Sequence, residues 1–138
     1  MQKFEILPHT ADLRLKVTSD NVGGIFKSAL EGMSNIVRNN CFEDDSDLNL
    51  AENINIDSID ESMLLIDFLS EILTISHNNK AVYRIKEIKK LTPNSINADI
   101  EGKKLDGFDE DIKAVTYSEA KIVKNSSGMY EIIIVFDI

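Results

Sequence analysis

Cysteine is nearly absent from this chain: Cys41 is its single thiol, so no disulfide can close within it and no multi-cysteine zinc site can be built. Histidine is almost as scarce. His9 and His77 are the only imidazoles, which disfavours zinc chemistry further. No apolar run approaches the roughly 18 residues needed to span a bilayer. The opening Met1-Gln2-Lys3-Phe4-Glu5 also lacks the apolar stretch of a secretory signal. The expectation is a soluble cytoplasmic protein with no membrane partner. Basic residues are in deficit, 15 Lys and Arg against 24 Asp and Glu, for a formal charge of −9. Such a surface repels phosphate backbones unless its bases cluster, which argues against DNA as a partner. The local basic cluster Arg84, Lys86, Lys89 and Lys90 is interleaved with Tyr83 and Ile85. That alternation reads as the charged face of a strand in preference to an RNA contact. If RNA is involved, a partner holds it.

What is present suffices for one ordinary core. The 138 residues, 43% apolar and 28% charged, match a common domain size and composition. No repeat, linker or low-complexity tract divides them, so residues 1–138 are read as a single domain. Phe4 to Leu7 is a short apolar run ended by Pro8, and Leu13 to Thr18 alternates as a half-buried strand should. His9-Thr10-Ala11-Asp12 connects them. Ser19 or Asp20 can cap a helix whose apolar face runs from Val22 to Val37. Leu48 to Ile56 reads as an irregular strand interrupted at Ala51-Glu52-Asn53. A second helix, from Asp57 or Ser58 to about His77, carries a wide apolar surface and should be the central core element. Two hairpins then follow, Ala81–Leu91 with Ser95–Glu101, and Ala114–Lys124 with Met129–Asp137. The expected fold class is α+β: a two-layer sandwich with two main helices on one face of a mainly antiparallel or mixed β-sheet.

Searches for familiar catalytic patterns mostly fail. Neither histidine sits in a nucleophile motif. Gly23-Gly24 lacks the Gly-Lys-Ser/Thr that completes a phosphate loop. Asp45, Asp47 and Asn49 have calcium-loop spacing, but Leu50 replaces the required Gly and Ile56 the bidentate Glu. Asp67 and Glu71, one helical turn apart, read as a solvated face, although general acid–base work or partner docking would use the same pattern. The last segment is more informative. Tyr130 to Ile138 is apolar to its end, where most termini are polar and frayed. A strand paired that far would hold two anions side by side, the Asp137 side chain and the Ile138 α-carboxylate. Either a cation offsets them or both simply face water. Residue spacing leaves the two open.

Four segments together resemble the archease family: His9-Thr10-Ala11-Asp12, Leu64 to Leu73, Ile112-Lys113-Ala114-Val115-Thr116-Tyr117, and Val135-Phe136-Asp137-Ile138. Each is short, but their order and spacing span the chain. The resemblance implies an accessory protein, not an enzyme in its own right. Its partner would be an RtcB-type RNA ligase of tRNA splicing and tRNA processing, whose guanylylation and multiple turnover it promotes. RNA and guanine nucleotide would meet it only through the ligase. The resemblance also implies metal ligands at Asp12, Asp137 and Ile138, the last through its α-carboxylate, and a functional role for Lys113. Oxygen-only anionic ligands suit Ca²⁺ first and Mg²⁺ second. Lys113 would offset residual negative charge, and His9 is a candidate hydrogen-bond donor behind the ligands, or a structural histidine. Ser118 departs from the family, many members of which carry His there. A small metal-dependent hydrolase using Asp12 and Asp137 is the alternative. A general chaperone ranks last, because it needs a large exposed apolar patch.

Overall fold

Strict alternation sets the first strands. Leu13, Leu15 and Val17 are buried while Arg14 and Lys16 lie half-exposed between them, so one face of this segment must be covered. The computed structural model describes residues 2–7, 12–44 and 47–138. Its strands are β1 (Gln2–Leu7), β2 (Leu13–Ser19), β3 (Leu50–Asp57), β4 (Ala81–Thr92), β5 (Ser95–Lys104), β6 (Ala114–Thr116), β7 (Val123–Lys124) and β8 (Tyr130–Asp137). The helices are α1 (Val22–Val37) and α2 (Glu61–Asn79).

The strands form two antiparallel sheets. One runs in the order β1-β2-β8-β6, with β7 also pairing β8; the other runs β3-β5-β4. The α+β class and the two main helices therefore stand as expected, with the strands divided between two sheets. The division follows from α1, which is buried over most of its circumference; the stripe Gly23, Lys27, Glu31 and Asn35 is half-buried. A helix buried on most of its sides needs cover from more than one direction. It packs on β1, β2 and β8 of the larger sheet and on β4 of the smaller. On the first side Gly32 lets the helix approach closely, since a Cβ there would lie 2.7 Å from Leu15 Cδ2. On the second side the Ser34 hydroxyl donates to the Tyr83 carbonyl at 2.6 Å. Phe26 of α1 meets Phe68 of α2 edge to face, ring centres 5.6 Å apart.

Both helix caps and the course of β3 differ from the sequence expectation. Asn21, not Ser19 or Asp20, caps α1, its Oδ1 accepting from the Gly24 N–H at 2.7 Å. Ser19 is fully buried as the last residue of β2. Asp60, not Asp57 or Ser58, caps α2, because Asp57 is still paired with Ser95 and the Ser58 N–H donates to the Asn94 carbonyl. The irregularity expected within Leu48 to Ile56 is absent: β3 starts at Leu50 and pairs with β5 residue for residue through Ala51, Glu52 and Asn53. On this edge strand those three polar or small side chains are exposed.

The hairpin expected over Ala114–Lys124 and Met129–Asp137 is antiparallel but discontinuous. β6 pairs with Asp137–Val135 and β7 with Glu131–Tyr130. Between them the chain leaves the sheet, turning at Glu119 with φ 61°. None of the described helices is long and apolar enough to cross a membrane.

Candidate functional site

The end of β8 is where the singled-out residues come together. On one side, Leu13 of β2 pairs with Phe136. Asp12 is the residue just before β2, so it adjoins the end of β8 that carries Asp137. On the other side, Ala114 of β6 pairs with Asp137, and the preceding Lys113 N–H donates to the Asp137 carbonyl at 2.7 Å. Asp12, Asp137 and Lys113 are all exposed. Ile134 and Phe136 are fully buried on the opposite face of the strand, and Ile138 packs against the core in the same alternation. The side chain of Ile138 thus holds the strand end down, while Asp137 points the other way.

Two carboxylates at neighbouring strand ends repel unless a counter-charge offsets them. Among the described residues, no side-chain hydrogen bond or ion pair engages Asp12, Asp137 or Lys113. Arg14 lies two residues from Asp12 but is committed elsewhere. Its Nε and Nη2 donate to both carboxylate oxygens of Glu119 at 3.0 and 2.9 Å. That bidentate bond and the Glu119 charge hold the guanidinium pKa above its ordinary value, with Asp12 adding a smaller push. Among the described residues, no group of three or more His, Cys, Asp or Glu side chains is arranged for a metal ion. Asp12 and Asp137 would reach three anions through the Ile138 α-carboxylate. That donor set contains only hard anionic oxygens, which fits Ca²⁺ or Mg²⁺ and not a soft ion. His9, with Thr10 and Ala11, lies outside the described residues.

Asp67 and Glu71, paired in the sequence reading, part company in the structure. Glu71 is exposed, whereas Asp67 is half-buried and accepts two hydrogen bonds. The Tyr117 hydroxyl donates to its Oδ1 at 2.5 Å, and the Ser58 hydroxyl to its Oδ2 at 2.9 Å. The carboxylate holds the phenolic proton and raises the Tyr117 pKa. Both residues stood in segments that carried the family resemblance, but a contact between positions 67 and 117 leaves no mark in local spacing.

Two members of the basic cluster on β4 are drawn into cross-strand pairs. Arg84 Nε meets Glu101 at 3.0 Å and Lys89 meets Asp99 at 3.1 Å, both partners on β5. Arg84 also lies over the Phe42 ring, 5.5 Å from its centre.

Residues 4–138 match the model of the archease protein family (MTH1598/TM1083). This chain belongs to the archease family. Protein archease of Methanosarcina barkeri is 30% identical over 136 residues, covering 92% of this chain and 90% of that one. Protein archease of Pyrococcus abyssi is 28% identical and matches both chains over their full lengths. Among solved structures, protein 1598 of Methanobacterium thermoautotrophicum superposes with a TM-score of 0.78 at 19% identity, covering 98% of each chain. The crystal structure of "an archease, possible chaperone" from Thermotoga maritima gives 0.62 at 17% identity, over 96% of this chain and 94% of that one. The archease fold is thus shared at identities where few individual side chains are.

Proposed function

We propose that this archease-family chain is a metal-dependent accessory protein of an RtcB-type RNA ligase, acting in tRNA splicing by promoting ligase guanylylation and repeated turnover. One observation supports the reading above the others. The register of β2, β8 and β6 sets Asp12, Asp137 and Lys113 along a single exposed sheet end. Asp12, Asp137 and the Ile138 α-carboxylate would hold a divalent cation, Ca²⁺ first and Mg²⁺ second. Such an ion, when bound, supplies compensation for the converging anions and a contact for phosphate oxygens. Lys113 contributes a second positive charge at the same edge, and β6 fixes its backbone. Because the cluster is exposed at a strand end, it can enter a partner's active site without unfolding. RNA and guanine nucleotide are met through the ligase.

A general chaperone would require a broad apolar surface. Among the described residues, the exposed large hydrophobics are Ile6 on β1, Val123 on β7, and Ile59 and Tyr117 in connections.

The test is a multiple-turnover ligation assay with the cognate ligase, with and without this protein. Asp12→Ala, Asp137→Ala and Lys113→Ala should fold normally and stimulate at least about tenfold less, the usual scale for losing a positioned charge. No stimulation by the unaltered protein, or full stimulation by all three variants, would overturn the reading. Turnover of a phosphoester by the protein alone would favour the hydrolase instead.

A further inference from the structure

We propose that Asp67 is a positioning residue for Lys113: by accepting the Tyr117 hydroxyl it holds β6 in the sheet and so keeps Lys113 beside Asp137. The role assigned to Lys113 rests on the function proposed above; the mechanical part stands on hydrogen bonds alone.

The need for an anchor comes from β6 itself. It is three residues long and pairs with β8 only over Asp137–Val135. So short an edge strand carries few ladder bonds, and its ends open readily unless something else holds them. At the Lys113 end the anchor is partial, and a strand of three residues can still peel as far as Lys113 from its other end. Ile112 is fully buried, and the Lys113 N–H is bonded to the Asp137 carbonyl. At the other end the chain leaves the sheet at Tyr117 and returns only at Val123. The Tyr117 side chain is not held by burial, because the residue is 53% exposed. What holds it is the hydroxyl bond to Asp67.

Asp67 is suited to this because it cannot itself move far. It lies within α2 between Ile66 and Phe68, both fully buried. Its second oxygen accepts from Ser58, whose own N–H is tied to the Asn94 carbonyl at 2.8 Å. An ionised acceptor makes a stronger bond than a neutral one. The same carboxylate raises the phenol's pKa, so Tyr117 remains a donor throughout neutral pH. The excursion has further tethers, Ile122 N–H to the Ser62 hydroxyl at 2.9 Å and Glu119 to Arg14. Both act beyond Tyr117, so neither replaces the contact that adjoins β6.

The experiment is residue-resolved amide hydrogen exchange on the full chain, with calcium titration and ligase stimulation measured on the same samples. Tyr117→Phe removes the hydroxyl and keeps the ring. Exchange at Lys113 and in β6 should accelerate about tenfold, the scale of one lost charge-assisted hydrogen bond. Amides of α1 and β5 should not change. Calcium affinity should also be unchanged, because Asp12 adjoins β2 and Asp137 and Ile138 end β8, and the pairing of β2 with β8 does not pass through Tyr117. Ligase stimulation should fall in step with the loosening of β6. Asp67→Asn, which keeps an acceptor oxygen for Tyr117, should lose less than Asp67→Ala on both readouts. Unchanged exchange at Lys113 in Tyr117→Phe, or acceleration spread evenly over the protein, would overturn the positioning role. Loosened β6 with full ligase stimulation would overturn the link to Lys113. A ligase indifferent to the unaltered protein would instead defeat the functional reading, and exchange at Lys113 would still decide whether Asp67 holds the strand.

Discussion

Lys113 and Asp137 are joined through their main chains, N–H to carbonyl over 2.7 Å, leaving one ammonium and one carboxylate at the same sheet end, with no side-chain partner for either among the described residues. Asp12 reaches that end from the opposite side through the pairing of Leu13 with Phe136. Two carboxylates brought together from distant parts of the chain raise the free energy of the fold unless a counter-charge is supplied. This is the physical basis for expecting a cation there.

Asp12→Asn removes one of those charges and keeps the shape. Calcium affinity measured by calorimetry should fall at least about tenfold, with the metal-free variant equal to or slightly more stable than the parent, because a repulsive pair has been relieved. Unchanged affinity would remove Asp12 from the ligand set.

The chain end offers a second, independent check. A short C-terminal tag keeps every side chain, including Ile138 packed on the core, but turns its α-carboxylate into a neutral amide. Extensions at termini are normally tolerated. Weaker calcium binding and weaker ligase stimulation are nevertheless expected, with the fold intact, while an N-terminal tag of equal length leaves both unchanged. Equal behaviour of the two tagged proteins would redraw the site without Ile138.

Gly24 tests how β2 delivers α1 into the core. A Cβ at position 24 would overlap Ser19 Oγ and lie 2.9 Å from Ser19 Cβ, and Ser19 is fully buried at the end of β2. Gly24→Ala should therefore destabilise the protein by about 2 kcal/mol, the scale of overpacking, despite alanine's better helix propensity. Gly107→Ala, where a Cβ meets nothing within 4 Å, is the control and should be close to neutral. Denaturant midpoints of the two variants distinguish them.

Cys41 should be chemically quiet. It is 4% exposed, and burial pushes its thiol pKa up to about 11. Because the thiolate is the nucleophile, its reaction with a disulfide reagent at pH 8 should be at least roughly a hundredfold slower in the native protein than after unfolding. Native and unfolded rates within a few-fold of each other would contradict this environment.

Several features were legible in the sequence because they rest on local periodicity or on the absence of a residue type. The alternation of Leu13 to Thr18 and the run from Tyr130 to Asp137 became β2 and β8. The apolar spacing from Val22 to Val37 became α1. A single cysteine excluded a disulfide before any fold was known. Other features were decided only when distant segments met. The cap of α1 fell to Asn21 because Ser19 was needed inside the sheet. β3 ran straight through Ala51-Glu52-Asn53 because β5 offered a partner for every residue and solvent took the side chains. The strands divided between two sheets, and both of them cover α1, which is buried on more of its circumference than one sheet can reach. Asp67 and Glu71, chemically alike and one turn apart, acquired different surroundings when Tyr117 arrived from a segment 50 residues away. Local sequence specifies which surfaces need covering; which segment covers them depends on packing and register across the whole chain.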